Sequence, residues 1–302
     1  MKVLFTSHNL IGDGLYVGPS LREWIEQQTQ PVDVWMSTLP DHVACLYEGM
    51  VRDLWNPGTL IHTFGTVFNR PEGITFDFEH VFDVNKAFIV SRDKQQHLAR
   101  SYADLLGVKL APGNEAVKPI YIPDTTAQGK WMEGPHEPLG LLAGCIIISM
   151  FSASCESRDK NTPGLPPNKM LPVPKWLPML RLLKKEFPDV PIRFVGAPTD
   201  ILPDGFDKFG DAMFGIPLNR LMLILQKAAL LVTIDNGVSH MGASQETPTF
   251  LMYPRCLAPY YILPVGNPNL SWCHIDPVYV SPAQLEFQLS KTIQKLKEKQ
   301  CR

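Results

Sequence analysis

The sequence has no pair of cysteines at C-x-x-C spacing, and its 6 cysteines are scattered between Cys45 and Cys301. Such scatter favours neither a disulfide framework nor a zinc site, so we expect a protein of the reducing cytoplasm. No export signal is expected, because the N-terminus has only three consecutive apolar residues, Val3 to Phe5. The longest apolar run, Leu139 to Met150, is about half as long as a membrane-spanning helix. It predicts a buried strand.

Net charge is also nearly absent. Lys and Arg number 28 against 30 Asp and Glu, giving −2, so the chain has no overall positive field for a polyanion such as duplex DNA. The net charge does not exclude a local basic groove. With 45% hydrophobic, 10% aromatic and 19% charged residues, the composition excludes a disordered chain. The 302 residues are enough for two domains of about 150 residues each.

Strand-like and helix-like segments alternate through both halves, which predicts an α/β protein with two parallel, doubly wound sheets. Between the halves, residues 111 to 138 contain five prolines and no sustained apolar pattern. This predicts a linker, with one domain over 1–138 and the other over 139–302. We predict strands over 3–7, 32–36, 59–64, 145–150, 192–195, 231–234 and 249–252 and helices over 17–28, 41–50, 85–106, 175–187, 219–229, 238–245 and 282–299.

Ligands of doubly wound sheets bind beyond the carboxyl ends of the strands, so the loops at those ends are the places to examine. The first contains Gly12, Asp13 and Gly14, where glycine lets a ligand approach the main chain and Asp13 is the only acid. Position alone favours a helix-capping carboxylate worth about 1 kcal/mol. The G-x-G-x-x-G dinucleotide motif is absent.

The loop after Met150 is long and polar, a combination that is usually functional or disordered. Its hydroxyls and cations, which include Ser152, Ser154, Arg158 and Lys169, suit a phosphate group. Taken alone, Lys169 is equally consistent with an ordinary solvated surface lysine.

A third loop joins the strand ending at Ile234 to a helix, whose first N–H groups and dipole can hold a phosphate. Gly237 permits close approach, and Asp235 or His240 can hydrogen-bond a ligand. His240 alone is as consistent with a structural histidine as with a ligand contact.

The D-x-G-x-x-H element formed by Asp235, Gly237 and His240 is followed by Pro248 and Thr249. It resembles the signature of glycosyltransferase family 9, the ADP-heptose:lipopolysaccharide heptosyltransferase family. Two further elements of that family are matched in order, a G-D…P-x-L element at Gly12, Asp13, Pro19 and Leu21 and a K-x-x-P-x-x-x-W element at Lys169, Pro172 and Trp176.

The resemblance implies a GT-B fold, in which two Rossmann-like doubly wound domains face each other across a cleft. The domain over 1–138 would lie on the acceptor side and the one over 139–302 would hold the nucleotide-sugar donor. Transfer would invert the anomeric carbon without a metal ion, and no cofactor is implied because the nucleotide sugar is a substrate.

The resemblance also assigns roles to individual residues. Asp13 would be the general base, with Gly12 and Gly14 beside it on the acceptor side, and Lys169 would contact the donor phosphates. The rest of the donor site would be Ser152, Ser154, Arg158, Asp235, Asn236, Gly237 and His240. The chain departs from the family pattern at Asn236, where a small hydroxyl residue is usual, and in the longer, proline-rich stretch 155–167, and both departures bear on the identity of the donor.

Two alternatives remain open at this point, namely a catalytically degenerate protein that only binds nucleotide sugars and a GT-B sugar-nucleotide epimerase. The acceptor is also open, between a glycan, a lipid-linked sugar, a protein and a modified nucleic-acid base. The segment Lys291 to Lys299 offers a modest basic face for peripheral membrane contact.

Overall fold

The computed structural model describes residues 2–6, 11–37, 60–64, 79–83, 86–110, 144–152, 169–216, 218–254, 263–264 and 267–300. The helix predicted over 41–50 and the boundary predicted at 138 lie outside these residues and stay predictions. The chain separates into two compact units, one of Met1–Gly134 with Pro217–Met222 and Pro259–Gly266, the other of Pro135–Ile216, Leu223–Ala258 and Asn267–Arg302.

The first unit contains a parallel sheet whose strand order is β3-β2-β1-β4. Since β2 and β4 both lie beside β1, the chain leaves the middle of the sheet in opposite directions, as in a doubly wound fold. Its strands are β1 (Lys2–Thr6), β2 (Asp33–Ser37), β3 (Leu60–Phe64) and β4 (His80–Asp83), and its helices are α1 (Ile11–Glu26), α2 (Lys86–Lys94) and α3 (Leu98–Leu106).

Helix α1 begins at Ile11, not at Val17 as predicted. Gly12, Asp13 and Gly14 are therefore in the first turn of the helix and not in a preceding loop. Each glycine disfavours a helix by about 1 kcal/mol. The residues that follow, among them Leu15 and Tyr16, are fully buried, and their packing outweighs that cost.

The single helix predicted over 85–106 is wrong, because the segment forms two helices, α2 and α3. Gln95 has a φ of 49°, which interrupts the helical path, and the His97 side chain then accepts a hydrogen bond from the Ala99 N–H to cap α3. The predicted end at Gly107 is confirmed, with a left-handed φ of 67°.

The second unit contains a six-stranded parallel sheet of order β10-β9-β8-β5-β6-β7. The chain winds outward from β5 to β7 and then from β8 to β10, so the predicted doubly wound architecture is confirmed. The strands are β5 (Ile146–Ser149), β6 (Ile192–Gly196), β7 (Asp211–Phe214), β8 (Leu230–Ile234), β9 (Thr249–Pro254) and β10 (Leu270–Ile275), and the remaining helices are α4 (Val173–Glu186), α5 (Leu218–Lys227), α6 (Gly237–Ser244) and α7 (Pro282–Gln300).

One face of this sheet carries the core that fixes α4. Trp176 is fully buried and packs in a cluster with Ile148, Phe194 and Val232 from three neighbouring strands. Because Trp176 anchors the first turn of α4, the residues just before that helix, including Lys169, are held near the carboxyl ends of the strands. Among the helices that the structure describes, none is both long and apolar enough to span a bilayer.

Candidate functional site

The site lies where β5 and β8 run side by side, with Ser149 opposite Thr233 in the parallel register. The chain crosses over in opposite directions after these two strands, which is the arrangement that leaves a ligand-binding crevice in doubly wound sheets. Strand β5 leads into Phe151 and Ser152, and β8 leads into Asp235. The middle of the sheet thus brings together residues that the sequence predicted as parts of a donor site.

A buried ion pair lies at the end of β8. The Lys169 Nζ atom donates to Asp235 Oδ2 over 2.5 Å, and the exposed fractions of the two side chains are 17% and 1%. The second carboxylate oxygen, Oδ1, is buried and has no hydrogen-bond partner among the residues that the structure describes, and His240 Nε2 lies 3.6 Å from it. Lys169 is therefore a partly accessible cation whose position is fixed by a buried carboxylate.

The ionisation of Asp235 follows from these neighbours. Burial alone would raise the pKa of the carboxyl, but the His240 imidazole and the Lys169 ammonium outweigh burial and hold the pKa below its ordinary value of 3.8. Asp235 is thus ionised at neutral pH, and the pair with Lys169 is a true salt bridge.

Helix α6 begins beside this pair, with Asn236 as its N-cap. The Asn236 Oδ1 atom accepts from the Ser239 N–H at 3.0 Å, and Ser239 completes a capping box. The N–H groups of Gly237 and Val238 precede the first intrahelical hydrogen bond, and both residues are half-buried. They offer two donors and the positive end of the helix dipole to an anion.

The predicted site residues divide into three groups. Ser152, Lys169, Asp235, Asn236, Gly237 and His240 lie together at the carboxyl ends of β5 and β8. Gly12, Asp13 and Gly14 lie in the first turn of α1, in the other unit, and the side chain of Asp13 is outside what the structure describes. Ser154 and Arg158 are outside the described residues.

Sequence reasoning missed Ser149, which accepts a hydrogen bond from Asn236 Nδ2 at 2.9 Å. The available signal was a single hydroxyl at the end of the otherwise apolar run Ile146–Ile148. A polar side chain at the last position of a buried central strand points to the crevice edge of a parallel sheet.

The buried carboxylate predicts acid sensitivity. Because the folded-state pKa of Asp235 is lowered, the stability contributed by its ionised form is present above about pH 5 and is lost as pH falls through that lowered value. Urea unfolding measured between pH 7 and pH 3 should therefore show a smaller loss of stability with acid for Asp235→Asn than for the parent. Asp104→Asn is the comparison variant: burial raises the pKa of Asp104, but hydrogen bonds from Lys94 and Gln96 outweigh it and lower the pKa. Because this side chain is 43% exposed, Asp104→Asn should change the acid response less than Asp235→Asn does. Parallel curves for the parent and Asp235→Asn would contradict this assignment.

No family model matches the chain, and no curated protein sequence matches it. Several solved structures do match the chain. E. coli heptosyltransferase WaaC with ADP-2-deoxy-2-fluoro heptose matches with a TM-score of 0.61 and 17% identity over 98% of this chain and 99% of that chain. The family 9 glycosyl transferase from Veillonella parvula matches with a TM-score of 0.60 and 14% identity over 98% and 96%.

A third match is the iron-containing dodecameric glycosyltransferase TibC from enterotoxigenic E. coli, with a TM-score of 0.57 and 14% identity over 98% of this chain and 76% of that chain. These likenesses run along nearly the whole chain. The molecule therefore has the GT-B fold of the heptosyltransferases, and the fold class predicted from the sequence is confirmed.

Proposed function

We propose that this protein is an inverting glycosyltransferase that moves a sugar from a nucleotide-diphosphate donor to an acceptor hydroxyl, in the manner of a heptosyltransferase. The observation that carries the proposal is the juxtaposition of Lys169 with the N-terminus of α6 where β5 and β8 diverge. A fixed cation and the first backbone N–H groups of a helix at one point suit a diphosphate group.

The chemistry requires such groups. Breaking the bond between sugar and diphosphate leaves negative charge on the departing phosphate, and donors that are already in position stabilise that charge without reorganisation. Lys169 retains two ammonium N–H bonds beyond the one that it gives to Asp235. These and the N–H groups of Gly237 and Val238 would take the charge, and His240 would supply a further donor.

The attacking hydroxyl needs a base, and we assign this role to Asp13. Strand β1 lies between β2 and β4, so the chain also diverges at the carboxyl end of β1. Asp13 occupies the first turn of the helix that follows this strand. A carboxylate there would remove the proton of an acceptor hydroxyl that attacks the sugar from the face opposite the diphosphate, which inverts the anomeric carbon.

We also propose that transfer needs no metal ion, because a lysine and a helix N-terminus would do the work that a divalent cation does in other transferases. TibC is iron-containing, so this part of the proposal requires its own test. Transfer and nucleotide binding should be unchanged after treatment with EDTA. A strict requirement for added Mg²⁺, Mn²⁺ or iron would contradict it.

Ligand binding tests the donor site directly. ADP and ADP-heptose are the first probes, since the matched WaaC structure contains an ADP-sugar analogue; UDP and UDP-N-acetylglucosamine serve as comparators. A nucleotide at 100 times its Kd should stabilise the folded protein by about 2.7 kcal/mol, seen as a higher melting temperature. If no nucleotide diphosphate shifts the melting temperature and calorimetry detects no heat of binding, the proposed donor site is wrong.

Product analysis then separates the alternatives. A transferase should release the nucleoside diphosphate and give a glycosylated product only when a glycan, lipid-linked sugar, protein or nucleic-acid acceptor is supplied. An epimerase would convert the donor sugar without an acceptor. A degenerate protein would bind the nucleotide sugar and leave it intact.

A further inference from the structure

Asn236 makes more hydrogen bonds than a helix cap requires. Its Oδ1 atom accepts from the Ser239 N–H at 3.0 Å. Thr233 Oγ1 lies 3.3 Å from the same oxygen, but its single proton is shared with the Ile234 carbonyl, which is closer at 3.0 Å. Its Nδ2 atom donates to Ser149 Oγ at 2.9 Å and to the Phe151 carbonyl at 2.8 Å. An asparagine side chain has two N–H donors, so both donors of Asn236 are used within the protein, and its oxygen accepts the capping bond.

The two donated bonds cross from the chain after β8 to the chain after β5. Asn236 is 87 residues from Ser149 in sequence and 85 from Phe151, so these bonds join the two segments at the point where the sheet diverges. One partner is the last residue of β5 and the other is the first residue of the pair Phe151–Ser152. We call this set of two bonds the Asn236 bridge.

We infer that Asn236 is a positioning residue for a diphosphate, whose bridge holds the segment Ser149–Ser152 at a fixed distance from the N–H groups of Gly237 and Val238. This inference rests on the proposed function and adds to it a residue that acts through its neighbours. Both N–H donors of the Asn236 side chain are given to protein acceptors, so neither is left to donate to a phosphate. It affects binding by holding the segment after β5 and the start of α6 at the spacing that the phosphates require.

The cap and the bridge can be separated by substitution. Asn236→Ser retains an oxygen that accepts from the Ser239 N–H, as serine does at many helix N-termini. A single, short hydroxyl cannot donate to both Ser149 and the Phe151 carbonyl. Ser239→Ala is the matched control, because it removes the other half of the capping box at the same helix end and leaves the bridge in place.

The first measurement needs no ligand. Amide hydrogen exchange of peptides covering residues 146 to 152 should be about tenfold faster in Asn236→Ser than in the parent. The reason is that the hydrogen bonds of the Asn236 bridge no longer resist local opening of this segment. Ser239→Ala should exchange there like the parent. Unchanged exchange in Asn236→Ser would overturn the inference. Ser149→Ala, which deletes one partner of the bridge, should show a smaller increase and serves if Asn236→Ser does not fold.

The second measurement compares ADP with AMP by calorimetry. If the spacing of the diphosphate site changes, ADP binding should weaken about 5- to 10-fold in Asn236→Ser while AMP binding stays within about twofold of the parent. A general destabilisation of the domain would instead weaken the binding of both nucleotides equally. Equal losses for ADP and AMP, or no loss for either, would overturn the positioning role while the proposed function stands. A parent protein that binds no nucleotide would instead overturn the proposed function, and the positioning role with it.

Discussion

Lys169→Met should lower the free energy of unfolding by about 3 kcal/mol and weaken ADP binding at least tenfold. Methionine keeps most of the apolar stem of lysine and removes the charge. Asp235, with an exposed side-chain fraction of 1%, would then be a buried carboxylate without its cation. We place the cost at the lower end of the 3–5 kcal/mol range for broken buried pairs, since Lys169 is 17% exposed and water can partly replace it.

Asp235→Asn completes a double-mutant cycle with Lys169→Met. Because it removes the charge that Lys169 compensates, Lys169→Met combined with Asp235→Asn should recover about half of the lost stability. ADP binding should stay weak in the double variant, since the cation is still missing. Urea unfolding and calorimetry on the four proteins measure both quantities. Lys169→Met with parental stability would mean that the ion pair does not hold in solution, and parental ADP affinity would remove Lys169 from the phosphate site.

Sequence periodicity predicted the buried central strands but did not predict three strands at the edges of the sheets. Strands β4, β7 and β10 were not predicted, and each forms an edge of its sheet. Two of them, β4 and β7, begin with exposed residues, so they lack the continuous apolar run of a strand buried on both faces. A short edge strand is stabilised by hydrogen bonds to its neighbour, and its own residues carry little of that information.

The site shows the same division between local and distant information. The turn from β8 into α6 could be predicted, because the buried strand, Asn236 and Gly237 are consecutive in the sequence. The contact between Lys169 and Asp235, which places a cation at this turn, could not be predicted from the sequence. Lys169 is 66 residues from Asp235, and only the strand order brings the two together.

The start of α1 is a third case, and it concerns a residue assigned to catalysis. Two glycines around Asp13 indicated a loop, whereas the buried residues that follow extend the helix back to Ile11. Asp13 consequently lies in the first turn of a helix, where the dipole favours a carboxylate by about 0.3 to 1 kcal/mol. A purely structural role for Asp13 therefore predicts a small stability effect and no effect on turnover.

A catalytic role predicts the reverse. Asp13→Asn should lower kcat by about 100-fold or more, because the amide cannot accept the acceptor's proton in the transition state, while ADP affinity stays within about twofold and stability changes by less than about 1 kcal/mol. Turnover is followed as nucleoside diphosphate released from a donor identified in the binding screen, with an acceptor or with water. Glu26→Gln is the control, since it removes a carboxylate from the exposed end of the same helix, where Glu26 pairs with Arg22. Asp13→Asn with the parental kcat would leave Asp13 with a purely structural role in the first turn of α1. A loss of ADP affinity equal to the loss of kcat would show that Asp13 acts in binding and not as the base.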